Sequence, residues 1–223
     1  MLQALGKKSV PEEKRDTARK LISDFSSVSV REPDGVGIVS GLTAREATWV
    51  LDPSLLLGKE EYHKLSKPAR KRGYVYLYLR QESEKLDEFA KKLAQQKGLT
   101  VIKVYNHWLC GKNGKRKAPV GPHEWLGYIE NADYVVTNSF HGICFSIIFE
   151  KEFYVDFLEK KTTVTNSRLE GMLQQFNLME RCIDDVENFD TLSTVDYNSV
   201  NEIKELRKKE SLTYLRNALE GSA

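Results

Sequence analysis

The central part of the chain alternates between short apolar runs and longer amphipathic segments. Residues 74–79 (YVYLYL) form a continuous apolar run, which is typical of a strand buried on both faces. The next segment, 84–97, has apolar side chains at three- and four-residue spacing, which predicts a helix that ends at Gly98. Similar runs predict three more strands, at 100–105, 133–137 and 153–157.

Single helices are predicted between these strands and after the last one, at 122–131, 143–150 and 166–176. Strands that alternate with single helices favour a parallel, doubly wound, Rossmann-like α/β sheet. We expect this sheet to occupy about 73–190, and a last amphipathic helix is predicted at 200–219. The second domain is therefore predicted to span residues 73–223.

The first 72 residues have a different pattern, and we interpret 1–72 as a remnant of, or linker from, an N-terminal domain. A helix is predicted at 12–25, a short strand at 26–32 and a turn at the PDG triplet that follows. A short helix or turn and an apolar run come next, at 36–42 and 47–57. The mixed charges of 59–72 predict a solvated, mobile connector.

Composition and charge exclude several classes of protein. The chain has 223 residues, 40% of them hydrophobic and 30% charged, as in ordinary globular proteins. The formal net charge of +2 provides no overall field that would attract nucleic acid or a membrane. Three cysteines without paired spacing, no signal peptide and no membrane-spanning run together predict a cytoplasmic protein.

The segment TNSFHG (137–142) joins a predicted strand to a predicted helix. Ligands bind doubly wound sheets at such loops, and the free N–H groups at a helix start suit phosphate or carboxylate. His141 would lie beside a bound anion and could transfer a proton. A second interpretation stays open on position alone, in which His141 only bonds a carbonyl group and packs.

The neighbours of His141 have roles of their own in this hypothesis. Asn138 or Ser139 could cap the helix, and Gly142 permits a close approach of the backbone. The metal-binding and nucleotide-binding motifs that carry recognisable spacing are absent from the sequence, so we predict no metal site. We also predict a solvated surface loop for the basic segment 111–117.

Two arginines are further candidates for anion binding. Arg168 follows Asn166 and Ser167, which look like helix N-caps, so it is expected in the first helical turn. A basic residue is unfavourable there unless its planar fork binds an anion. Arg31 is predicted at the end of a short strand. For both arginines, a solvent-exposed position without a ligand is the alternative.

Several segments, in this order, resemble the polysaccharide pyruvyl transferase family. They are VREPDG (30–35), WVLDPSLLL (49–57), GPHEWLGYIENADYVVTNSFHG (121–142), the continuation ICFSIIFEKEFYV (143–155) and NSRLEGMLQQFNLMERCI (166–183). The resemblance covers roughly 28–185 and implies two Rossmann-like domains arranged as in B-type glycosyltransferases. This chain corresponds to the C-terminal domain of that arrangement.

The resemblance implies transfer of a pyruvyl group from phosphoenolpyruvate to a sugar of a surface polysaccharide or its precursor, with ketal formation and release of phosphate. By motif, His141 would contact phosphoenolpyruvate and could act as the acid, and Arg31 would hold its phosphate or carboxylate. The remaining residues expected around the donor are Asn138, Ser139, Phe140, Gly142, Ser167 and Arg168. Phosphoenolpyruvate and a carbohydrate acceptor are the expected partners, and no cofactor is expected.

The sequence departs from the family pattern at Glu152, where proline is common, and at Ile143, where threonine is common. The family's additional N-terminal Rossmann-like half, with its glycine-rich loop, is not part of this sequence, which leaves two alternatives open. The chain could be a non-catalytic sugar- or nucleotide-binding module, or a truncated half of a two-domain enzyme. The apolar positions of the last helix are then expected to pack on 12–57 or on a second chain, so we expect self-association.

Overall fold

Eight strands and eight helices are present in the computed structural model, which describes residues 10–69, 71–111, 114–157, 163–186, 189 and 193–221. The strands are β1 (Ser29–Val30), β2 (Thr48–Trp49), β3 (Tyr74–Leu79), β4 (Thr100–Tyr105), β5 (Trp108–Cys110), β6 (Arg116–Pro119), β7 (Tyr134–Thr137) and β8 (Glu152–Val155). The helices are α1 (Arg15–Ser23), α2 (Pro33–Leu42), α3 (Lys59–His63), α4 (Glu84–Gln96), α5 (Pro122–Glu130), α6 (Phe140–Ile148), α7 (Thr163–Gln175) and α8 (Tyr197–Glu220).

The main sheet has six strands in the order β6-β5-β4-β3-β7-β8, and the four strands from β4 to β8 run parallel. Its central strand, β3, is buried along its whole length because helices cover both faces. Tyr74, Tyr76 and Tyr78 belong to the hydrophobic cluster that includes α6 and α7. Val75 and Leu77 face α4 on the other side. This mixed α/β architecture confirms the predicted fold class and is compatible with a Rossmann-like fold.

The antiparallel hairpin β5-β6 was not predicted, and it extends the sheet beyond β4. Residues 111–117 were expected to form a loop, but Arg116 and Lys117 lie in β6. Asn106 and His107 form the turn before β5, with φ angles of 44° and 65°. Two-residue hairpin turns need positive φ at both positions, which usually calls for Asn-Gly or Asp-Gly. The sequence pair Asn-His therefore did not signal the hairpin.

The first part of the chain forms a small parallel sheet, β1-β2, which packs with α1 and α2. The PDG triplet (33–35) starts α2 instead of forming a turn, with Pro33 at its first position. A short helix, α3, interrupts the predicted mobile connector. Leu51 and Leu55 belong to the hydrophobic cluster of the main sheet, and the proposed domain boundary at residue 72 stays a prediction.

The last helix, α8, agrees with the prediction and contacts the segment that contains β2. Arg207 lies 4.4 Å from the ring centroid of Trp49, and Ser211 Oγ accepts a hydrogen bond from the Leu51 N–H at 2.9 Å. Leu206 and Leu219 are 59% and 76% exposed. Val200 and Ile203 of α8 pack in the hydrophobic cluster that contains Leu51 and Leu55, and self-association through the exposed leucines stays a prediction.

Candidate functional site

The helix that carries His141 begins at Phe140, three residues earlier than predicted. Ser139 is its N-cap, and its hydroxyl oxygen accepts a hydrogen bond from the Gly142 N–H at 3.3 Å. Thr137 Oγ1 accepts from the Ser139 N–H at 3.1 Å and donates to the Tyr78 carbonyl at 2.6 Å. The cap is thus anchored to β3, and it places Phe140 and His141 in the first turn of α6.

Asn138 and Gly142 build the frame of this turn. The Asn138 side chain accepts from the Arg80 N–H at 2.9 Å and donates to the Gln81 carbonyl at 2.7 Å, which joins the loops after β7 and β3. A Cβ atom on Gly142 would lie 2.5 Å from Thr137 Oγ1. Glycine is therefore required at this position because the Thr137 side chain packs against it. The close approach of the Gly142 backbone to a ligand, which the sequence suggested, stays a prediction.

Two arginines from distant parts of the chain converge on the ring of Phe140. The Cζ atoms of Arg31 and Arg168 each lie 5.1 Å from the ring centroid, within the range of cation–π attraction. His141 contacts the same ring edge-on, at 5.5 Å between centroids. We call these four residues, together with Glu32 and Asp52, the Phe140 cluster.

Ion pairs hold both arginines in place. Arg31 Nη1 lies 2.5 Å from Asp52 Oδ2, and Arg168 Nε lies 2.5 Å from Glu32 Oε1. Glu32 is also 3.7 Å from Arg31 Nε, so this carboxylate lies between the two guanidinium groups. Glu32 and Asp52 are buried. Neither was singled out from the sequence, although both belong to segments that carried the family resemblance.

The hydrogen bonding of the Phe140 cluster is incomplete. The Nε atoms of Arg31 and Arg168 and both oxygens of Glu32 are buried, yet they make no hydrogen bond within the part of the chain that the structure describes. The short Arg168–Glu32 contact is therefore an ion pair without hydrogen-bond geometry. A buried polar group without a hydrogen bond typically costs about 1–3 kcal/mol. The buried Nε atoms and Glu32 are therefore balanced in charge by their ion pairs, while their hydrogen bonding stays incomplete.

Asp52 reaches the cluster from the segment that follows β2, where it caps the 3-10 helix Pro53–Leu56. Its second oxygen, Oδ1, accepts from the N–H and the hydroxyl of Ser54 at 3.0 and 2.7 Å. Burial alone would raise the pKa of Asp52, but the Ser54 hydrogen bonds and the charge of Arg31 lower it overall. Asp52 is therefore an anion at neutral pH.

His141 is the part of the cluster that is open to solvent, with its side chain 51% exposed. Its Nε2 atom lies 4.0 Å from Asp52 Oδ2. Partial burial lowers the pKa of His141, and although Asp52 opposes this effect, the positive charges of Arg31, Arg168 and Arg80 add to it. The imidazole is therefore mostly neutral at pH 7 in the ligand-free protein.

The structure brings four predicted site residues together, namely Arg31, Phe140, His141 and Arg168. Asn138, Ser139 and Gly142 fix the first turn of α6 through their hydrogen bonds and packing. The predicted cap at Asn166 or Ser167 is wrong because α7 already begins at Thr163, so Ser167 and Arg168 lie in its second turn. Arg168 reaches the cluster because its helix packs on α6, and not because it is at a helix end.

Two other properties of the described chain bear on function. Within the described ranges, no group of three or more His, Cys, Asp or Glu side chains could hold a metal ion. None of the helices in those ranges has the combined length and apolar character needed to cross a bilayer.

A comparison with protein families supports the resemblance seen in the sequence. The family model described as polysaccharide pyruvyl transferase matches residues 3–155, which is more than half of the chain. The match includes Arg31, Glu32, Asp52, Phe140 and His141, whereas Arg168 lies beyond its end. Comparison with curated proteins and with solved structures found no match.

Proposed function

The chain belongs to the polysaccharide pyruvyl transferase family, and we propose that its Phe140 cluster binds phosphoenolpyruvate and transfers the pyruvyl group to a sugar. The observation that carries this proposal is the convergence of Arg31 and Arg168 on Phe140, beside a half-exposed histidine at a helix start. Family membership suggests a carbohydrate acceptor.

The donor has two anionic groups, a phosphate and a carboxylate, that suit this arrangement. A guanidinium group presents a planar fork of N–H donors that matches either anion. The backbone N–H groups at the start of α6 add positive potential on the side of Phe140 and His141. Glu32 occupies the space between the arginines in the ligand-free protein, so the donor has to compete with it.

The transfer requires one proton on the donor and two hydroxyl groups on the acceptor. Protonation of the methylene carbon makes the neighbouring carbon electrophilic, and a sugar hydroxyl adds there. The C–O bond to phosphate breaks, a second hydroxyl adds, and the ketal forms. The two hydroxyl protons balance the one gained by the methyl group and the one that leaves with phosphate.

In this proposal His141 supplies the proton to the methylene carbon. The imidazole is mostly neutral in the ligand-free protein, and the negative charge of the donor favours its protonated form. Asp52 stands near Nε2 and stabilises the resulting imidazolium. Arg31 and Arg168 stabilise the charge that develops on the leaving phosphate.

The test follows binding and phosphate release separately. Titration calorimetry measures phosphoenolpyruvate affinity, and phosphate release is followed with a panel of oligosaccharide acceptors. We expect His141→Gln to bind the donor within a few-fold of the unchanged protein and to lose about 100- to 10,000-fold in the rate of release. His123→Gln, at an exposed position of α5, is the matched control and keeps both properties.

Two outcomes would contradict the proposal. Binding of a nucleotide or a glycan without affinity for phosphoenolpyruvate would identify a non-catalytic binding module. Undiminished release after His141→Gln would remove the histidine from the chemistry.

A further inference from the structure

The outer side of β4 is only partly covered by the hairpin. The strand pairs with β3 along its whole length, but it pairs with β5 only at Val104 and Tyr105. Within the hairpin, the pairing register of β5 and β6 shifts between Leu109 and Cys110. In the described part of the chain, Thr100–Lys103 therefore has no strand neighbour on its outer side.

A groove of about 1080 Å³ lies along this open edge. Its walls come from β4, the far end of the hairpin, α4, α5 and the segment before β3. It shares no residue with the Phe140 cluster. The volume is slightly above the usual range of small-molecule pockets, about 300–1,000 Å³. A ligand that fills this groove is therefore larger than a single sugar or amino acid.

Positive charge is concentrated in this groove, although the chain as a whole is nearly neutral. In the described part of its lining there are five lysines, Lys67, Lys71, Lys91, Lys103 and Lys117, against two carboxylates, Asp87 and Glu124. Lys67 pairs with Glu124 at 2.9 Å, and Lys103 pairs with Asp87 at 2.5 Å. The other three lysines form no ion pair with any described residue.

Protection of an exposed strand edge does not account for this arrangement. Edge strands commonly carry a lysine that prevents pairing with another chain, and Lys103 can serve that purpose. The three unneutralised lysines come from three other elements, and they converge on the same cavity. Several ammonium groups along one groove can pair with several negative charges on one ligand.

The groove is also poorly suited to nucleic acid. Single-stranded nucleic acids stack their bases on aromatic side chains. Among the described residues that line the groove, Tyr128 is the only aromatic one, and its ring already stacks on Tyr76 at 5.6 Å between centroids. The lining instead offers lysine ammonium groups and a partly unpaired strand edge.

We propose that the lysine groove binds an acidic oligosaccharide, a glycan whose sugars carry carboxylate groups. This inference rests on the proposed function, because it makes the groove the holding site for an anionic acceptor polymer. The ammonium groups would pair with successive carboxylates, and the open edge of β4 would bond to sugar hydroxyls.

The test measures binding of three hexamers to the full chain by titration calorimetry: hexagalacturonate, neutral maltohexaose and hexaglutamate. The test variant is Lys71→Glu/Lys91→Glu/Lys117→Glu. The control variant, Lys64→Glu/Lys92→Glu/Lys209→Glu, makes the same charge change at exposed lysines outside the groove. Circular dichroism checks that both variants fold, and the corresponding lysine-to-glutamine triple replaces any variant that does not.

We expect hexagalacturonate to bind the unchanged protein and the control within twofold of each other, and the test variant about tenfold or more weakly. Binding weakens as salt is raised, and maltohexaose does not bind. Equal loss in both triple variants, or stronger binding of hexaglutamate, would overturn the proposal, as would no binding of hexagalacturonate.

This binding test stands apart from the transfer reaction. His141→Gln should bind hexagalacturonate like the unchanged protein, because His141 does not line the groove. Lysine-dependent binding together with no phosphate release would reject the transferase proposal alone. Phosphate release without lysine-dependent binding would reject the groove alone.

Discussion

Two arginine clusters in this protein look alike in composition but differ in how completely they are bonded. We call the second one the Arg181 cluster, and it contains Arg181, Glu152, Glu180, Tyr154 and Ser193. Arg181 is 1% exposed and contacts Glu152 and Glu180 at 3.2 Å. It also donates to the carbonyl and the hydroxyl of Ser193, both at 2.9 Å, and lies over the Tyr154 ring.

The Phe140 cluster has the same kinds of groups, yet its hydrogen bonds are left incomplete. Arg31 and Arg168 keep buried Nε atoms, and Glu32 keeps both oxygens, without a hydrogen bond from the described chain. Complete internal bonding indicates that Arg181 holds the C-terminal segment to β8, since Glu152 also accepts from the Val195 N–H at 2.9 Å. In the proposed function, the incomplete bonding beside an exposed histidine is what the donor would complete.

The largest effect that separates the two clusters should be on stability. Arg181→Met removes the buried guanidinium from half-buried Glu152 and from exposed Ser193, so the free energy of unfolding should fall by about 2–3 kcal/mol. Urea denaturation measures this loss, and the protein that remains folded should keep its affinity for phosphoenolpyruvate. Arg216→Met, on the exposed face of α8, should change stability by less than about 0.5 kcal/mol. If Arg181→Met instead bound the donor more weakly and kept its stability, the Arg181 cluster would be the binding site.

A charge-conserving substitution should affect binding in the Phe140 cluster instead. Arg31→Lys keeps an ammonium group beside Asp52 but loses the planar fork, so donor affinity should fall about tenfold, which corresponds to about 1.4 kcal/mol. Calorimetric titration with phosphoenolpyruvate gives this number. The matched variant Arg181→Lys should leave affinity unchanged and lower stability. Equal affinity in Arg31→Lys and the unchanged protein would show that Arg31 does not touch the donor.

Neutralising the acidic partners should have opposite consequences in the two clusters. Glu32→Gln removes a carboxylate that competes with the donor for both arginines, so phosphoenolpyruvate should bind about three- to tenfold more tightly. Glu152→Gln should lower the free energy of unfolding by about 1 kcal/mol, because it removes the charge opposite Arg181. Both values come from paired titration and denaturation experiments. Weaker donor binding in Glu32→Gln would mean that Glu32 positions the arginines for the ligand.

The smallest effect concerns the protonation of His141. Its pKa lies below its ordinary value of 6.5 because of partial burial and the nearby arginines, and the anionic donor should raise it. NMR titration of the imidazole with and without phosphoenolpyruvate detects this change. If His141 acts as the acid, kcat/KM should fall as the pH rises through the pKa of the free protein. A rise in kcat/KM over the same range would make His141 the base that accepts a sugar hydroxyl proton.

Much of the fold was predictable because its elements follow from local patterns. The buried strands at 74–79 and 100–105 and the helix at 84–96 agree with the apolar runs and spacing. The start of α6 was predicted three residues late because Gly142 disfavours a helix, while packing against Thr137 requires it there. Local propensity could not show that contact, since Thr137 Oγ1 is held by the Tyr78 carbonyl of another strand.

The candidate site was only partly predictable. Arg31, His141 and Arg168 were candidates from their positions in the predicted elements, and Phe140 was added by the resemblance to a family, which the family match supports up to residue 155. Glu32 and Asp52 were missed because acidic residues in a charged sequence are mostly exposed. Only their burial against the arginines distinguishes them from the other acids. Glu152 stands where proline is common in the family, and only its ion pair with Arg181 shows what its side chain does.

The sequence by itself determined the α/β class, the family and the loop that carries His141. These depend on the periodicity of apolar side chains and on short ordered segments, which are local properties of the chain. Only the tertiary structure decided that Arg31 and Arg168 both lie over the ring of Phe140 and that part of the outer edge of β4 has no strand neighbour. It also decided which arginine cluster is completely bonded. Those outcomes depend on groups separated by many residues, and hydrogen bonds and ion pairs between them exist only after packing has fixed their distances.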